Sequence, residues 1–171
     1  MKLSPRYRMP FKRRREGKTD YQKRLRLLKS SQPRLVVRKT LKYITSQVTE
    51  FNKRGDKILA AATSRELKNL EWNFACDNLP AAYLTGLLLG KKSLDKKINN
   101  VVLDSGLYPS VKSSRIYAVV KGAKDAGLNV PVDEEILPSE ERIKGGHIAT
   151  SEKFKSLPSE FEKVKEKIIG G

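Results

Sequence analysis

The sequence predicts an α/β sandwich with a mixed sheet, preceded by a basic N-terminal arm. Three short strand-like segments come first, and helical patterns on either side then enclose an isolated apolar segment at 101–103. The resulting order, β-β-β-α-α-β-α, is typical of helices packed on a mixed sheet. The charge is also uneven, since residues 1–42 hold 16 of the 36 lysines and arginines.

The three strands are predicted between Pro33 and residue 62. Residues 35–37 are β-branched or leucine, and residues 43–51 alternate between polar and apolar side chains. The string Arg-Gly-Asp at 54–56 is a turn signal, and the third strand follows at 58–62. Because the connections are short, these strands are expected to form an antiparallel meander.

The helices are predicted from apolar periodicity and from residues that favour helix ends. Ser64 suits the N-cap of a first helix, and Pro80 suits the first turn of a second. The second helix is apolar nearly all round, which predicts central burial, and Gly86 and Gly90 within it indicate either close packing or a helix end. Residues 112–126 form a third, amphipathic helix, and Gly127 fits its left-handed end.

These patterns divide the chain into three parts. The polar stretch beyond Pro131 is expected to form only short helices, near 138–144 and 158–168. The predicted parts are residues 1–31, a basic RNA-binding arm with a short helix; residues 32–130, an α/β globular domain; and residues 131–171, a C-terminal segment.

The net charge of +17 indicates a polyanionic partner, because such an excess repels itself in a compact monomer. Residues 1–42 carry a net +14, and residues 43–171 carry only +3. Nucleic acid and an anionic membrane are the two candidates. The apolar run at 84–89 is too short to cross a bilayer, and residues 20–29 lack the broad apolar face of a membrane-surface helix. No secretory signal begins the chain, so we expect a cytoplasmic protein with no membrane partner.

The arm combines residue types that suit RNA. Arginine presents planar donors to phosphate oxygens, and Phe11 and Tyr21 are spaced for stacking on unpaired bases. With Pro5, Pro10 and many charges, residues 1–22 are expected to be disordered without a partner, and Asp20 is expected to cap a short helix after them. In the strand that follows, Arg38, Thr40 and Lys42 would form a row on one face if the strand extends that far. The predicted RNA contacts are Arg6, Arg8, Phe11, Lys12, Arg13, Arg14, Arg15, Lys18, Thr19, Tyr21, Arg24, Arg26, Arg34, Arg38, Lys39, Thr40 and Lys42.

An enzyme is not expected, because the constellations that catalysis needs are missing. The chain has one cysteine, Cys76, and one histidine, His147, so neither a disulfide framework nor a Cys/His metal site is predicted. Asp104 is the only carboxylate well placed after a strand, and Asp56 is interpreted as a turn former. Cys76 and Trp72 are expected in the core. No catalytic residue, metal, cofactor or small-molecule substrate is predicted.

Several long strings resemble one family. They are R-R-R-E-G-K-T-D-Y at 13–21, R-L-R-L-L at 24–28, P-R-L-V-V-R-K-T at 33–40, N-L-P-A-A-Y-L-T-G-L-L-L-G at 78–90, V-L-D-S-G-L at 102–107, K-G-A-K-D-A-G-L at 121–128 and G-G-H-I at 145–148. In this order they resemble the archaeal form of the universal 5S-rRNA-binding protein of the large ribosomal subunit, numbered eighteen in bacteria and five in eukaryotes. The resemblance covers about residues 4–150.

The resemblance implies a three-layer sandwich with a ribonuclease-H-like motif. It implies binding to 5S rRNA and to 23S-type large-subunit rRNA in the central protuberance, beside a neighbouring 5S-binding ribosomal protein. Eukaryotic relatives carry a long C-terminal extension that is not seen here, so the archaeal form is expected. The alternative is a general basic RNA-binding chaperone, which would bind unrelated RNA as tightly as 5S rRNA at matched salt.

Overall fold

The computed structural model of the chain describes residues 6–170 and contains a four-stranded sheet. Its strands are β1 (Arg34–Lys39), β2 (Ile44–Glu50), β3 (Lys57–Thr63) and β4 (Val102–Asp104), in the order β3-β2-β1-β4. The first three strands pair antiparallel, and β4 runs parallel to β1. The predicted meander and the predicted mixed sheet are therefore both confirmed.

Helices flank this sheet. Short 3-10 helices occur at Glu66–Leu70, Glu134–Ile136 and Glu152–Phe154. Within the described residues the α-helices are α1 (Lys12–Arg15), α2 (Tyr21–Leu28), α3 (Leu79–Leu94), α4 (Arg115–Asp125), α5 (Glu140–Ile143), α6 (Gly146–Ala149) and α7 (Leu157–Gly170).

The alternation of β1 assigns its two faces. Leu35 and Val37 are completely buried and belong to the core that α3 and α4 cover. Because successive side chains of a strand point to opposite faces, Arg34, Val36 and Arg38 lie on the other face. The helical pair thus takes the apolar face, and the second face of the sheet receives the cations of β1.

The predicted start of α3 near Pro80 is confirmed. Asn78 is its N-cap, and its side-chain oxygen accepts a hydrogen bond of 2.8 Å from the Ala81 N–H. The helix is buried on nearly every side, as its composition predicted. The left-handed glycine at the end of α4 is confirmed too, with φ of 109° at Gly127.

Two glycines allow α3 and α4 to touch backbone to backbone. A Cβ atom at Gly86 would lie 2.0 Å from the Val119 carbonyl oxygen, and one at Gly122 would lie 2.1 Å from the Tyr83 carbonyl oxygen. Neither position has room for a side chain, so the glycines set the separation of the helices. The close packing predicted at Gly86 is confirmed.

The region between β3 and α3 differs in part from expectation. Ser64 does not cap a helix; it is fully buried, and its hydroxyl accepts a hydrogen bond of 3.0 Å from the Ile44 N–H in β2. The helix after it is only one 3-10 segment, which begins at Glu66. The prediction of Trp72 and Cys76 in the core is confirmed, since they are 2% and 5% exposed.

The C-terminal helix α7 is longer than the predicted piece at 158–168 and packs against α3. Phe161 is fully buried and its ring centroid lies 5.6 Å from that of Tyr83. The Tyr83 hydroxyl donates to an Asp125 carboxylate oxygen at 2.7 Å, and burial together with this partner raises the pKa of Tyr83. Contacts of this kind join the end of the chain to α3 and α4.

Candidate nucleic-acid interface

The arm has local structure of its own in the described residues. The predicted cap is confirmed: the Asp20 carboxylate accepts hydrogen bonds from the N–H groups of Gln22 and Lys23 at the start of α2. Phe11 and Tyr21 were predicted to stack on bases. In the structure their rings contact each other, with 5.1 Å between the ring centroids. Phe11 remains 72% exposed, so most of its ring surface faces solvent.

Helix α2 is attached to the body at two points. The Lys23 ammonium donates to the Ser105 hydroxyl at 3.0 Å and to the Gly106 carbonyl oxygen at 2.9 Å, in the loop after β4. The Arg24 guanidinium donates to both carboxylate oxygens of Asp56 at 2.9 Å. These polar contacts hold the arm beside the face of the sheet that α3 and α4 leave uncovered.

Arg34 occupies the centre of this attachment. It is 1% exposed, and its guanidinium donates to Asp56 at 2.5 Å and to Asp104 at 2.8 Å. Its Nε is buried and has no hydrogen-bond partner. The direct RNA contact at Arg34 stays a prediction, but in this structure the side chain is buried and its terminal nitrogens already bind carboxylates. Arg34 neutralises carboxylates that would otherwise face the arm.

Asp56 bridges the arm and the sheet, which goes beyond the turn role predicted for it. Burial alone would raise the pKa of Asp56, but hydrogen bonds and charges from Arg24 and Arg34 outweigh it and hold that pKa below its usual value. The carboxylate is therefore ionised and held by one arginine from α2 and one from β1. Through it the position of the arm depends on the sheet.

Arg38 lies at the outer end of the same network. Its guanidinium donates to the Asp104 carbonyl oxygen at 2.8 Å and to the Asp104 carboxylate at 3.2 Å, while 43% of the side chain stays exposed. The Gly106 backbone passes so close that a Cβ there would lie 2.9 Å from the Arg38 guanidinium carbon. Arg38 is thus a surface cation in a fixed position.

The predicted row of Arg38, Thr40 and Lys42 is wrong, because β1 ends at Lys39. Thr40 begins the turn to β2, and its hydroxyl oxygen accepts hydrogen bonds from the N–H groups of Lys42 and Tyr43. The polar hydroxyl competes here with the strand ladder and turns the chain. Thr40 and Lys42 are exposed at this turn, whereas Lys39 lies with its ammonium 5.0 Å from the centre of the Tyr108 ring.

The remaining predicted contacts fall into two groups by exposure. Thr19, Tyr21 and Arg24 are half-buried where the arm meets the body. One functional residue was missed: Lys23 is not in the predicted contact set, although its two hydrogen bonds place it at this junction. The exposed group consists of Arg6, Arg8, Phe11, Lys12, Arg13, Arg14, Arg15, Lys18 and Arg26.

Other site types find little support in the part of the chain that the structure describes. Residues 6–170 contain no group of three or more His, Cys, Asp or Glu side chains arranged to hold a metal ion. His147 lies exposed in the four-residue helix α6. Within the same residues, no helix has the length and apolar character that a membrane span requires.

Comparison with known families agrees with the interface. Residues 5–101 match the family of ribosomal large subunit proteins 60S L5 and 50S L18. The matched region contains the arm, the antiparallel meander and α3, and it covers more than half of the chain. This family consists of structural proteins of the ribosome and is not a class of enzymes. The cations of the arm, their attachment through Asp56 and the family match together lead to one conclusion: the chain belongs to the 60S L5 and 50S L18 family and is an rRNA-binding protein of the large ribosomal subunit.

Proposed function

We propose that this protein binds 5S rRNA and attaches it to 23S-type large-subunit rRNA in the central protuberance, next to another 5S-binding ribosomal protein. The observation that carries the proposal is the exposed basic arm, held on a nearly neutral body by Lys23, Arg24 and Asp56. The family match supports the ribosomal context, and the proposal adds the particular RNA.

The binding energy comes mainly from the arm. Each cation that meets a phosphate releases condensed counterions, so affinity falls steeply as salt rises. The exposed arginines present planar donors to phosphate oxygens, and the exposed ring of Phe11 offers a surface for an unpaired base. We further propose that residues 6–11, which precede α1 and bury little surface, gain order when they meet RNA.

In this proposal the body supports the arm rigidly. We assign the body a three-layer, ribonuclease-H-like fold. The strand order β3-β2-β1-β4, with β4 parallel to β1 after a meander, supports that assignment. Nucleases need clustered carboxylates to hold the metal ions that activate water. Here β1 supplies Arg34 and Arg38, and both of them pair with Asp104, so that carboxylate is already neutralised.

The test is a truncation that removes the arm but leaves the cap of α2. Deleting residues 1–18 removes eight lysines and arginines and keeps Asp20. We expect a loss of 5S rRNA affinity of at least about 100-fold at physiological salt, and a salt slope smaller by up to about 7, if each removed cation meets a phosphate. The thermal unfolding midpoint should stay nearly unchanged, because none of the removed residues that the structure describes is buried.

A control removes three positive charges from a region outside the arm. The exposed residues Lys68, Lys153 and Lys163 belong to the region where α7 packs, so K68Q/K153Q/K163Q should keep the preference for 5S rRNA. Equal affinity of the truncated and full-length chains for 5S rRNA would refute the role of the arm. If the full-length chain bound an unrelated transcript of similar length equally well, the general chaperone would replace the proposed function.

A further inference from the structure

A small polar cleft lies between the arm and the body. Its floor is the loop that follows β4, and its walls come from three separate segments: the end of α1 with the residues after it, the first turns of α2, and β1. The residues that line it are Arg13, Lys18, Thr19, Asp20, Lys23, Arg24, Leu27, Arg38, Asp104, Gly106 and Leu107. Five of these are cations, and they come together only because α2 is attached to the body.

Two of the five cations are uncompensated. Lys23 gives two hydrogen bonds, both to neutral oxygens of Ser105 and Gly106, and Arg13 gives one, from Nε to the Thr19 hydroxyl. Among the described residues, neither makes an ion pair with a carboxylate. A half-buried ammonium that is held only by neutral acceptors keeps its attraction for an anion, and one of the three N–H groups of Lys23 has no partner among residues 6–170.

The two carboxylates at the cleft are already occupied. Asp20 accepts the N–H groups at the start of α2. One carboxylate oxygen of Asp104 accepts a hydrogen bond from Arg34. The other accepts hydrogen bonds from Arg38 and from the Gly106 N–H. Arg34 and Arg38 compensate the charge of Asp104, whereas Asp20 keeps its negative charge because its donors are uncharged backbone groups. Arg13 and Lys23 together exceed the charge of Asp20 by one, so the cleft keeps a net positive charge.

We propose that this cleft binds one phosphate group of the RNA backbone. Arg13 offers the two terminal nitrogens of its guanidinium, and Lys23 offers its third N–H. The Thr19 hydroxyl accepts from Arg13, so its own hydrogen is available to a phosphate oxygen. The exposed part of Arg38 lies at the rim. The three donors lie in the arm, but Lys23 is fixed by the loop after β4 and Arg38 belongs to β1, so the site exists only while the arm is attached to the body.

The inference rests on the proposed function and makes it more specific. Exposed cations on a mobile segment bind phosphates without choosing among them, since their attraction does not depend on sequence. A phosphate held between α2 and the loop after β4 would have a fixed position relative to the sheet. The cleft would thereby set the register of the RNA on the protein.

The experiment compares two variants of equal charge. R13Q/K23M removes the uncompensated cations of the cleft, and R26Q/K29Q removes two exposed cations from elsewhere on or beside α2. Phosphate-ethylation interference on 5S rRNA should show, for the wild type, one strong position that disappears with R13Q/K23M and remains with R26Q/K29Q. The cleft variant should also lose about tenfold more affinity than the control at matched salt.

Inorganic phosphate is the second probe, titrated at constant ionic strength against chloride. It should raise the thermal unfolding midpoint of the wild type and of R26Q/K29Q but not of R13Q/K23M. R13Q alone serves as a second variant if K23M loosens α2, because Arg13 is exposed and its side chain donates one hydrogen bond within residues 6–170, to Thr19.

The outcomes separate the two proposals. An unchanged interference pattern with equal affinity losses in both double variants would overturn the cleft site while leaving the preference for 5S rRNA intact. Stabilisation by free phosphate with no change in the RNA pattern would show a site for free anions and would also overturn the assignment to RNA. Absence of any preference for 5S rRNA in the wild type would instead reject the proposed function.

Discussion

The arm and the helical pair are held to the sheet in opposite ways. Helices α3 and α4 meet through Gly86 and Gly122 with no space between their backbones, and their side chains form the apolar core. Helix α2 has no buried residue and is held by Lys23 and Arg24 through polar contacts. The comparison teaches that stability and RNA binding are carried by different kinds of contact, so each can be changed without the other.

The largest expected effect tests the core. Gly86→Ala places a methyl group 2.0 Å from the Val119 carbonyl oxygen, so α3 and α4 must separate. Overpacking of this kind costs about 3 kcal/mol of unfolding free energy. Urea unfolding measures the loss, and the salt dependence of RNA binding by the folded fraction should not change.

Gly170→Ala is the matched control, because a Cβ there has no atom within 4 Å. It should change the unfolding free energy by less than about 0.5 kcal/mol. A similar loss in both variants would mean that the helix contact is not what limits stability.

A smaller loss of stability is expected from a change at Arg34, which shares the Asp56 carboxylate with Arg24 of the arm. Arg34→Met leaves Asp104 buried with only Arg38 and the Gly106 N–H, and leaves Asp56 with only Arg24. Removing one partner of a buried pair costs several kcal/mol, and the remaining partners reduce this to about 2 kcal/mol. RNA affinity should fall as well, since α2 loses a fixed anchor. Arg26→Met, at an exposed position, controls for the lost charge; equal losses of stability would refute the central role of Arg34.

The smallest effect is a pH dependence at Asp56. Its pKa is lower in the folded than in the unfolded chain, so its stabilisation is complete above the ordinary value of 3.8 and disappears as pH falls through the folded pKa. Asp56→Asn should therefore be less stable than the wild type at pH 7 by about 1 kcal/mol. The gap between the two proteins should narrow in thermal unfolding scans as pH falls below 3.8 and towards the folded pKa. A gap that stays constant as pH falls through this range would show that the charge of Asp56 is not responsible.

Much of the fold was predictable because local patterns and tertiary structure agree. The structure contains the strand predicted from the alternation in β2, the turn predicted at Gly55 and the helix predicted from the apolar residues around Pro80. Each of these patterns is compatible with a single type of local structure. Ser64 shows where local reasoning ends. A serine before a helical pattern is a good N-cap, but the Ser64 hydroxyl instead accepts a hydrogen bond from the backbone N–H of Ile44 in the neighbouring strand.

The interface was predictable in kind but not in detail. Charge density identified the arm, yet nothing local distinguishes Arg34, which is buried, from Arg38, which is half exposed. The difference depends on Asp56 and Asp104, which are 22 and 70 residues away in the sequence. Lys23 was missed for the same reason, because its partners lie in the loop after β4. The one available signal was its position in the first turn after the Asp20 cap.

The only tryptophan of the sequence, Trp72, lies in the body, outside the basic arm. Trp72 is 2% exposed, its indole N–H donates to the Ala75 carbonyl oxygen, and its ring meets that of Phe74. Its emission should therefore shift to longer wavelength when the body unfolds and stay unshifted when only the arm moves or nucleic acid binds. The protein thus carries an intrinsic optical probe by which unfolding can be followed in the same cuvette as a titration with RNA, free of added dye.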